Sequence, residues 1–345
     1  MLINKKNYSG KTPILHSHHK IMNSRLDVIG IGNAMVDAII PSNQEEVEKN
    51  KLNRNSMNLI DEKLKNYLHS NYPIKEMVGG GSLGNSMFGI TSFGGNGSFI
   101  GKIKKDEVGV FLQKDMVREG LKFPLGFTSP NISTGCCTIF VEQDGTRTMC
   151  TFLGAGTLIG PEDIKEEDIK NHQIAYLEGY LWDNDKAKKA MKKMIDICKA
   201  DQQKVAFTLS DPFCVDRHRD SFKQLINDDI DILFGNQDEI CSMIETKNLD
   251  DGIAYAKSLS IKTVITLSEK GSIIVDKDSV IEIKAKPVDK VIDTTGAGDL
   301  YASGFLYGLS RQKGLAECGR LASIAASEII SHFGARPQVQ LSSLI

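Results

Sequence analysis

The chain has 345 residues, enough to bury a substantial core as one large domain or as one domain with an accessory lobe. Its 42 basic and 44 acidic side chains leave a formal charge of -2, which gives no basic footprint and argues against nucleic acid as a main partner. No run of about 18 apolar residues occurs, so no membrane span is expected, and seven cysteines without a Cys-x-x-Cys pair read as reduced core thiols in the cytoplasm.

Residues 1–24 are polar, rich in Lys and His, and without periodicity. They lack the apolar core of a signal peptide and are expected to be a disordered extension. His16, His18 and His19 read as incidental to such a tail, and Met22 is a candidate second start just before the first strand. From residue 25 to 345 a single α/β domain is expected. Apolar runs at 27–32, 174–179, 205–210, 230–235 and 263–268 are short and rich in Val, Ile and Leu, as parallel strands buried on both faces should be. Helical patterns lie between them: Ala187, Ala190, Met191, Met194, Ile195 and Cys198 fall on one face. Strand and helix alternating in this way predict a doubly wound sheet, with ligands beyond the carboxyl ends of its strands. Segments 38–60 and 132–154 break the pattern as extended stretches, and Glu142-Gln143-Asp144-Gly145 is a hairpin turn between two β-rich runs.

Two phosphate-loop look-alikes are set aside. Gly30-Ile31-Gly32-Asn33-Ala34-Met35 lacks the third glycine of a dinucleotide fingerprint, and Gly101-Lys102 lacks the Ser or Thr and the first glycine of a Walker loop. The stretch Asp293-Thr294-Thr295-Gly296-Ala297-Gly298-Asp299 is more informative. A β-branched run leads through small residues into a helical pattern, which places bare N–H groups of Gly296, Ala297 and Gly298 at a helix N-terminus, where an anion can be held. Asp299 beside an anion site is repulsive unless it accepts a proton during phosphoryl transfer. Read alone, it is equally an N-capping aspartate.

Together with Gly79-Gly80-Gly81-Ser82-Leu83-Gly84-Asn85-Ser86 and Asn236-Gln237-Asp238-Glu239, that stretch resembles the ribokinase-like (PfkB) family of carbohydrate and nucleoside kinases, from about residue 27 to 337. The resemblance implies a ribokinase-like fold, a mostly parallel sheet flanked by helices with a small β-lid built from the two extended segments. It also implies ATP and Mg2+ as cofactors. Asp299 would be the base, and Gly296, Ala297 and Gly298 the anion hole. Asn236 and Glu239 would hold Mg2+ largely through waters, although their spacing is also that of a helix-capping box. Arg147 aligns with an arginine that adenosine kinases bring onto the transferred phosphate; an ordinary exposed hairpin charge is the other reading. Thr266, Ser268 and Gly271 match the strand-to-loop segment near the nucleotide, and Ala326 and Gly334 its opposite wall. Asn33 and Asp37 match the pair that binds two vicinal hydroxyls, with Gly80, Gly81 and Asn85 completing that subsite. A monovalent cation such as K+ near Asp293 and Thr295 is known in relatives.

The resemblance implies a small-molecule nucleoside or sugar as acceptor. Wider stretches, among them 133–137, 144–147 and 207–213, resemble adenosine kinases. Tyr180, with Phe152 and Leu181, could wall a nucleoside base. Thr295 departs from animal adenosine kinases, which usually carry Asn there, and Thr is common at this place in sugar kinases, which keeps ribose or fructose open. A catalytically silent nucleoside-binding protein is the alternative of another class. Monomer and homodimer both remain open.

Overall fold

The computed structural model describes residues 25–129 and 131–345, so the expectations for residues 1–24, including the start at Met22, lie outside the described residues. In chain order the strands are β1 Leu26–Ile31, β2 Met35–Pro41, β3 Met57–Leu59, β4 Glu76–Gly80, β5 Gly97–Ile100, β6 Ile103–Lys104, β7 Phe127–Ser129, β8 Gly135–Val141, β9 Arg147–Phe152, β10 His172–Glu178, β11 Lys204–Thr208, β12 Ile232–Asn236, β13 Lys262–Thr266, β14 Ser272–Asp276 and β15 Ser279–Ile283. One sheet has eight strands in the order β15-β14-β13-β12-β11-β10-β1-β5. Strands β5, β1, β10, β11, β12 and β13 run parallel, and β14 and β15 close the edge by antiparallel pairing.

The apolar runs read from the sequence are the parallel strands β1, β10, β11, β12 and β13. They alternate their side chains between two cores. Ile29, Ile31, Leu177, Phe207 and Leu233 enter one, whereas Val28, Tyr176, Ala206 and Phe234 enter the other. Helix Asp185–Ala200 lies on the first core and buries Ala187, Ala190, Met191, Met194, Ile195 and Cys198, the face its periodicity predicts. The second core is covered by helices Ser82–Ser92, Ala297–Ser310 and Leu315–Ile329. The fold is therefore the expected doubly wound, mostly parallel sheet between helices.

Close approach of two helices sets the site. A Cβ on Gly89 would run into the Ser303 hydroxyl and lie 2.7 Å from Leu300 Cδ1, so helix Ser82–Ser92 and helix Ala297–Ser310 touch where side chains are smallest. Leu300 and Phe305 are fully buried, worth about 1.5–3 kcal/mol each. That packing fixes the N-terminus of one helix against the N-terminus of the other.

A second sheet has five strands in the order β3-β9-β8-β2-β4. Here the structure differs in detail from the sequence expectation. The sheet begins at Met35, gains β4 from the glycine element, and residues 44–49 within the expected extended segment 38–60 form helix Gln44–Lys49. The reason is local: Asn43 and Glu46 make a reciprocal capping box that starts a helix. This helix and helix Glu62–Asn71 cover a small core of Ile40, Val47, Leu52, Leu68, Phe140 and Cys150. The turn at 142–145 joins β8 to β9 as a hairpin, with Gly145 N–H bonded to Glu142 O at 3.0 Å. Among the described residues no helix is long and apolar enough to cross a membrane, and all seven cysteines are buried and free.

Candidate active site

Because β1, β10, β11, β12 and β13 are parallel, their carboxyl ends share one edge, and Asn33, Glu178, Ser210, Asn236 and Ser268 gather there. The chain leaves β1 through Asn33 and enters the small sheet at once, which hangs Asp37 over that edge. Asn33 N–H donates to Glu178 Oε2 at 2.8 Å. Glu178 is almost completely buried, and burial pushes its carboxyl up to about 8, with the bond from Asn33 opposing.

The glycine element has a reason at each position. A Cβ on Gly80 would sit 2.5 Å from Asp37 Oδ1, so Asp37 occupies the room that a side chain would need. Gly81 has φ +84° as the residue before helix Ser82–Ser92, a conformation that L residues rarely adopt. Gly79 makes room for Arg336 and Asp115, whose Oδ2 accepts the Gly79 N–H at 3.3 Å. Asp37 is pushed up to about 6 by burial, with Arg336 and then Arg147 drawing it back down and Asp299 adding to the rise.

The loop of Gly296, Ala297 and Gly298 is braced from below. Asp293 Oδ1 accepts the Thr295 N–H at 3.0 Å and the Thr295 hydroxyl at 2.6 Å, and Oδ2 accepts the Gly334 N–H at 3.0 Å. Burial works against this charge, but those bonds and Arg147 keep Asp293 below its usual pKa. Gly296, at φ +79°, is the left-handed residue that starts helix Ala297–Ser310. A Cβ on Gly298 would meet no heavy atom within 4 Å, so the backbone there faces open space. Arg147, carried in by β9, bonds Asp293 and reaches Thr295 Oγ1 at 3.1 Å. It is therefore not the free hairpin charge of the alternative reading.

Asp299 sits one turn into that helix and does not act as its N-cap, since the cap residue is Gly296. Its Oδ1 takes the Ser82 hydroxyl at 2.7 Å and its Oδ2 takes Asn85 Nδ2 at 3.0 Å. Burial raises the carboxyl to about 6, and these two bonds hold it down. Asn85 Oδ1 is buried without a hydrogen-bond partner.

On the other side of the edge, Asn236 and Glu239 form the capping box that their spacing allows. Asn236 Oδ1 accepts the Glu239 N–H at 2.8 Å, while Glu239 accepts from the Asn236 backbone at 3.0 Å and from its amide at 2.8 Å. With these oxygens engaged, the pair suits an ion bound through waters rather than directly. Among the described residues no cluster of three or more His, Cys, Asp or Glu could hold a metal. Thr266 ends β13 opposite Asn236, Ser268 opens the following turn with φ 53°, and Gly271 closes it where a Cβ would run into the Ile283 carbonyl. Gly334 bonds Asp293, whereas Ala326 packs with the second core. Tyr180 is tied to the loop after β11: its N–H bonds Ser210 Oγ at 3.2 Å, its hydroxyl bonds Ser210 O at 3.3 Å, and its ring packs on the first core.

Sequence reasoning gave no role to Glu178, Arg336, Ser82 or Asp115. Ser82 lay inside the glycine element and Glu178 at a strand end, so position was the available signal for both. Arg336 and Asp115 carried none, because only folding brings them to the glycine strand.

The model of the pfkB family carbohydrate kinase matches residues 34–341. A solved structure from Sinorhizobium meliloti, described as adenosine kinase, is 36% identical, with a TM-score of 0.86 covering 93% of this chain and 98% of that one. A probable sugar kinase from Rhizobium etli CFN 42 is 34% identical, with a TM-score of 0.86 and the same coverage of 93% and 98%. An uncharacterized sugar kinase of Archaeoglobus fulgidus is 29% identical over 251 residues, 72% of this chain and 96% of its own length.

Proposed function

The chain belongs to the pfkB family of carbohydrate kinases, and from that premise we propose that it transfers the γ-phosphate of ATP to a primary hydroxyl, with adenosine as the leading acceptor and AMP as its product. The observation that carries the kinase chemistry is Asp299. A carboxylate with both oxygens oriented by Ser82 and Asn85 stands one turn above the bare backbone of Gly296–Gly298. The acceptor hydroxyl gives its proton to Asp299 as its oxygen attacks the γ-phosphorus. The bond from that phosphorus to the β-γ bridging oxygen breaks, and ADP leaves. Donors at the anion loop are each worth about 3 kcal/mol when aimed at developing charge. Arg147 already stands over the loop on Asp293 and Thr295 and adds a cation on the lid side. Mg2+, when bound, neutralises phosphate charge, and Asn236 with Glu239 would hold its waters. Asp37 and Asn33 would receive two vicinal hydroxyls of the acceptor, with Asn85 Oδ1 as a further open acceptor atom.

Adenosine is favoured by the 36% identity to a protein described as adenosine kinase. A sugar acceptor is the second reading. It is supported by the 34% identical probable sugar kinase and by Tyr180, whose bonds to Ser210 leave it less free to stack on a base. The test is ADP release with Mg-ATP and a panel of adenosine, other nucleosides, ribose and fructose. Adenosine ahead by orders of magnitude supports the first reading, and a free sugar ahead replaces it with the second. Binding of adenosine without ADP release would overturn the kinase in favour of a binding protein.

A further inference from the structure

We propose that Arg336 is a positioning residue of the acceptor site: from the C-terminal segment it holds Asp37 as a carboxylate and braces the glycine strand that Asp37 rests on. This rests on the reading of Asp37 as an acceptor-binding group.

The geometry begins with two adjacent glycines. Gly79 and Gly80 direct their missing side chains to opposite faces of β4, and Arg336 with Asp115 fills one space while Asp37 fills the other. A cation and an anion thus face each other across bare backbone. Any larger residue in the strand would push one of them away.

The guanidinium is fixed on three sides. It lies over the Phe88 ring at 2.9 Å from its centroid, donates through Nη2 to Asp115 Oδ2 at 3.1 Å, and abuts β4 at Gly79. Asp115 is shared: its Oδ1 takes Arg118, and its Oδ2 also takes the Gly79 N–H. Arg118 also pairs with Glu119, whereas among the described carboxylates Arg336 hydrogen-bonds Asp115, with Asp37 on the other face of the bare strand. Arg336 Nε is buried without a hydrogen-bond partner, so the group is not wholly engaged by Asp115. Its side chain is only 15% exposed, and burial lowers its pKa to about 9, which leaves it cationic at neutral pH.

The charged groups that act most strongly on Asp37 come from three elements. Arg336 acts from the C-terminal segment, Arg147 from β9 and Asp299 from helix Ala297–Ser310. Cys136 and Cys137, on the adjacent β8, are themselves pushed up and neutral. Arg147 is committed to Asp293 and Thr295. Arg336 is the larger of the two influences that keep Asp37 ionised. The same tetrapeptide, Gly334-Ala335-Arg336-Pro337, also supports the anion loop, since Gly334 bonds Asp293 and Ala335 packs on Gly296.

The experiment measures kcat and acceptor KM from pH 5.5 to 9 for the full chain, Arg336→Gln, Arg336→Lys and Asp37→Ala, with the best acceptor of the panel. Arg336→Gln is expected to raise acceptor KM about tenfold at neutral pH and to move the acid limb of kcat/KM up by about one unit, with recovery near pH 9. Its kcat and its KM for ATP should change much less. Arg336→Lys keeps the charge and should keep the limb, with acceptor KM raised several-fold because an ammonium cannot lie flat on Phe88 while bonding Asp115. An unmoved limb in Arg336→Gln, whatever its melting temperature, would make Arg336 a structural clamp and overturn the inference. If the glutamine variant does not fold, the lysine variant decides, since a wild-type acceptor KM would overturn it. An unchanged acceptor KM in Asp37→Ala would instead remove Asp37 from the acceptor site and take the underlying reading with it.

Discussion

Ser82→Ala removes one of the two hydrogen bonds that orient the proposed base while leaving every charge in place. The lost bond is the 2.7 Å donation to Asp299 Oδ1. A hydrogen bond to a charged group is worth about 1.5–3 kcal/mol. Asp299 keeps some contact with solvent, so the lower figure applies, equivalent to about one pKa unit. Burial has already raised the carboxyl to about 6, with Ser82 the larger of the two bonds opposing that rise. The variant should therefore titrate near about 7. A base works when ionised, so activity must fall as pH drops through that value. On this arithmetic kcat should be reduced about twofold at pH 7 and about ninefold at pH 5, and be nearly unchanged at pH 8.5. The assay is kcat under saturating acceptor and Mg-ATP, with circular dichroism to confirm folding at each pH. A loss of equal size at all pH values would refute the reasoning, because it would mean that Ser82 acts on geometry and not on the charge of Asp299.

Three further outcomes are expected. Asp299→Asn should lower kcat by about 10²–10⁴ with little change in melting temperature, because the amide oxygen still accepts from Ser82; turnover near wild type would remove Asp299 as the base. Gly298→Ala has free space for its Cβ and should fold normally while obstructing the phosphate, whereas Gly296→Ala, at φ +79° with its Cβ 2.9 Å from that of Ala335, should also lose about 1 kcal/mol or more of stability. Thermal melts with ATP titrations separate the two, and equal melting losses would contradict the contrast. Glu178 binds its proton more tightly folded than unfolded, since burial lifts it from 4.5 to about 8. Its contribution to stability is greatest below the unfolded value and is lost as pH rises through the folded one, by a few kcal/mol in all. Glu178→Gln should flatten that decline between pH 4.5 and pH 8, and parallel melting profiles for both proteins would refute it.

Parallel strands declared themselves because both of their faces are buried. Runs such as Ile174 to Leu177 need no alternation and stand out in any window. Helix Asp185–Ala200 was equally legible, its buried stripe repeating at the helical period. The anion loop could be read because its requirements are local: small residues, a left-handed glycine, a helix beginning. Strand β5 is a four-residue run behind Gly94 and Gly95 with little signal of its own, and β4 is a five-residue run that ends in Gly79 and Gly80, residues poor in strand propensity. A capping box at Asn43 and Glu46 put a helix in a segment that had looked extended.

Local sequence thus determined the individual parallel strands, the helices between them and the glycine loop that opens helix Ala297–Ser310, since each depends on neighbours within one or two turns. Tertiary structure alone decided the company those residues keep. Ser82 meets Asp299 across 217 positions, Arg147 meets Thr295 across 148, and Arg336 meets Asp115 across 221. No period or spacing encodes such meetings. They follow from two helices touching at Gly89 and Ser303 and from a small sheet folded over the strand ends, and burial in that place, not residue type, raises Asp37, Asp299 and Glu178 above their ordinary pKa values.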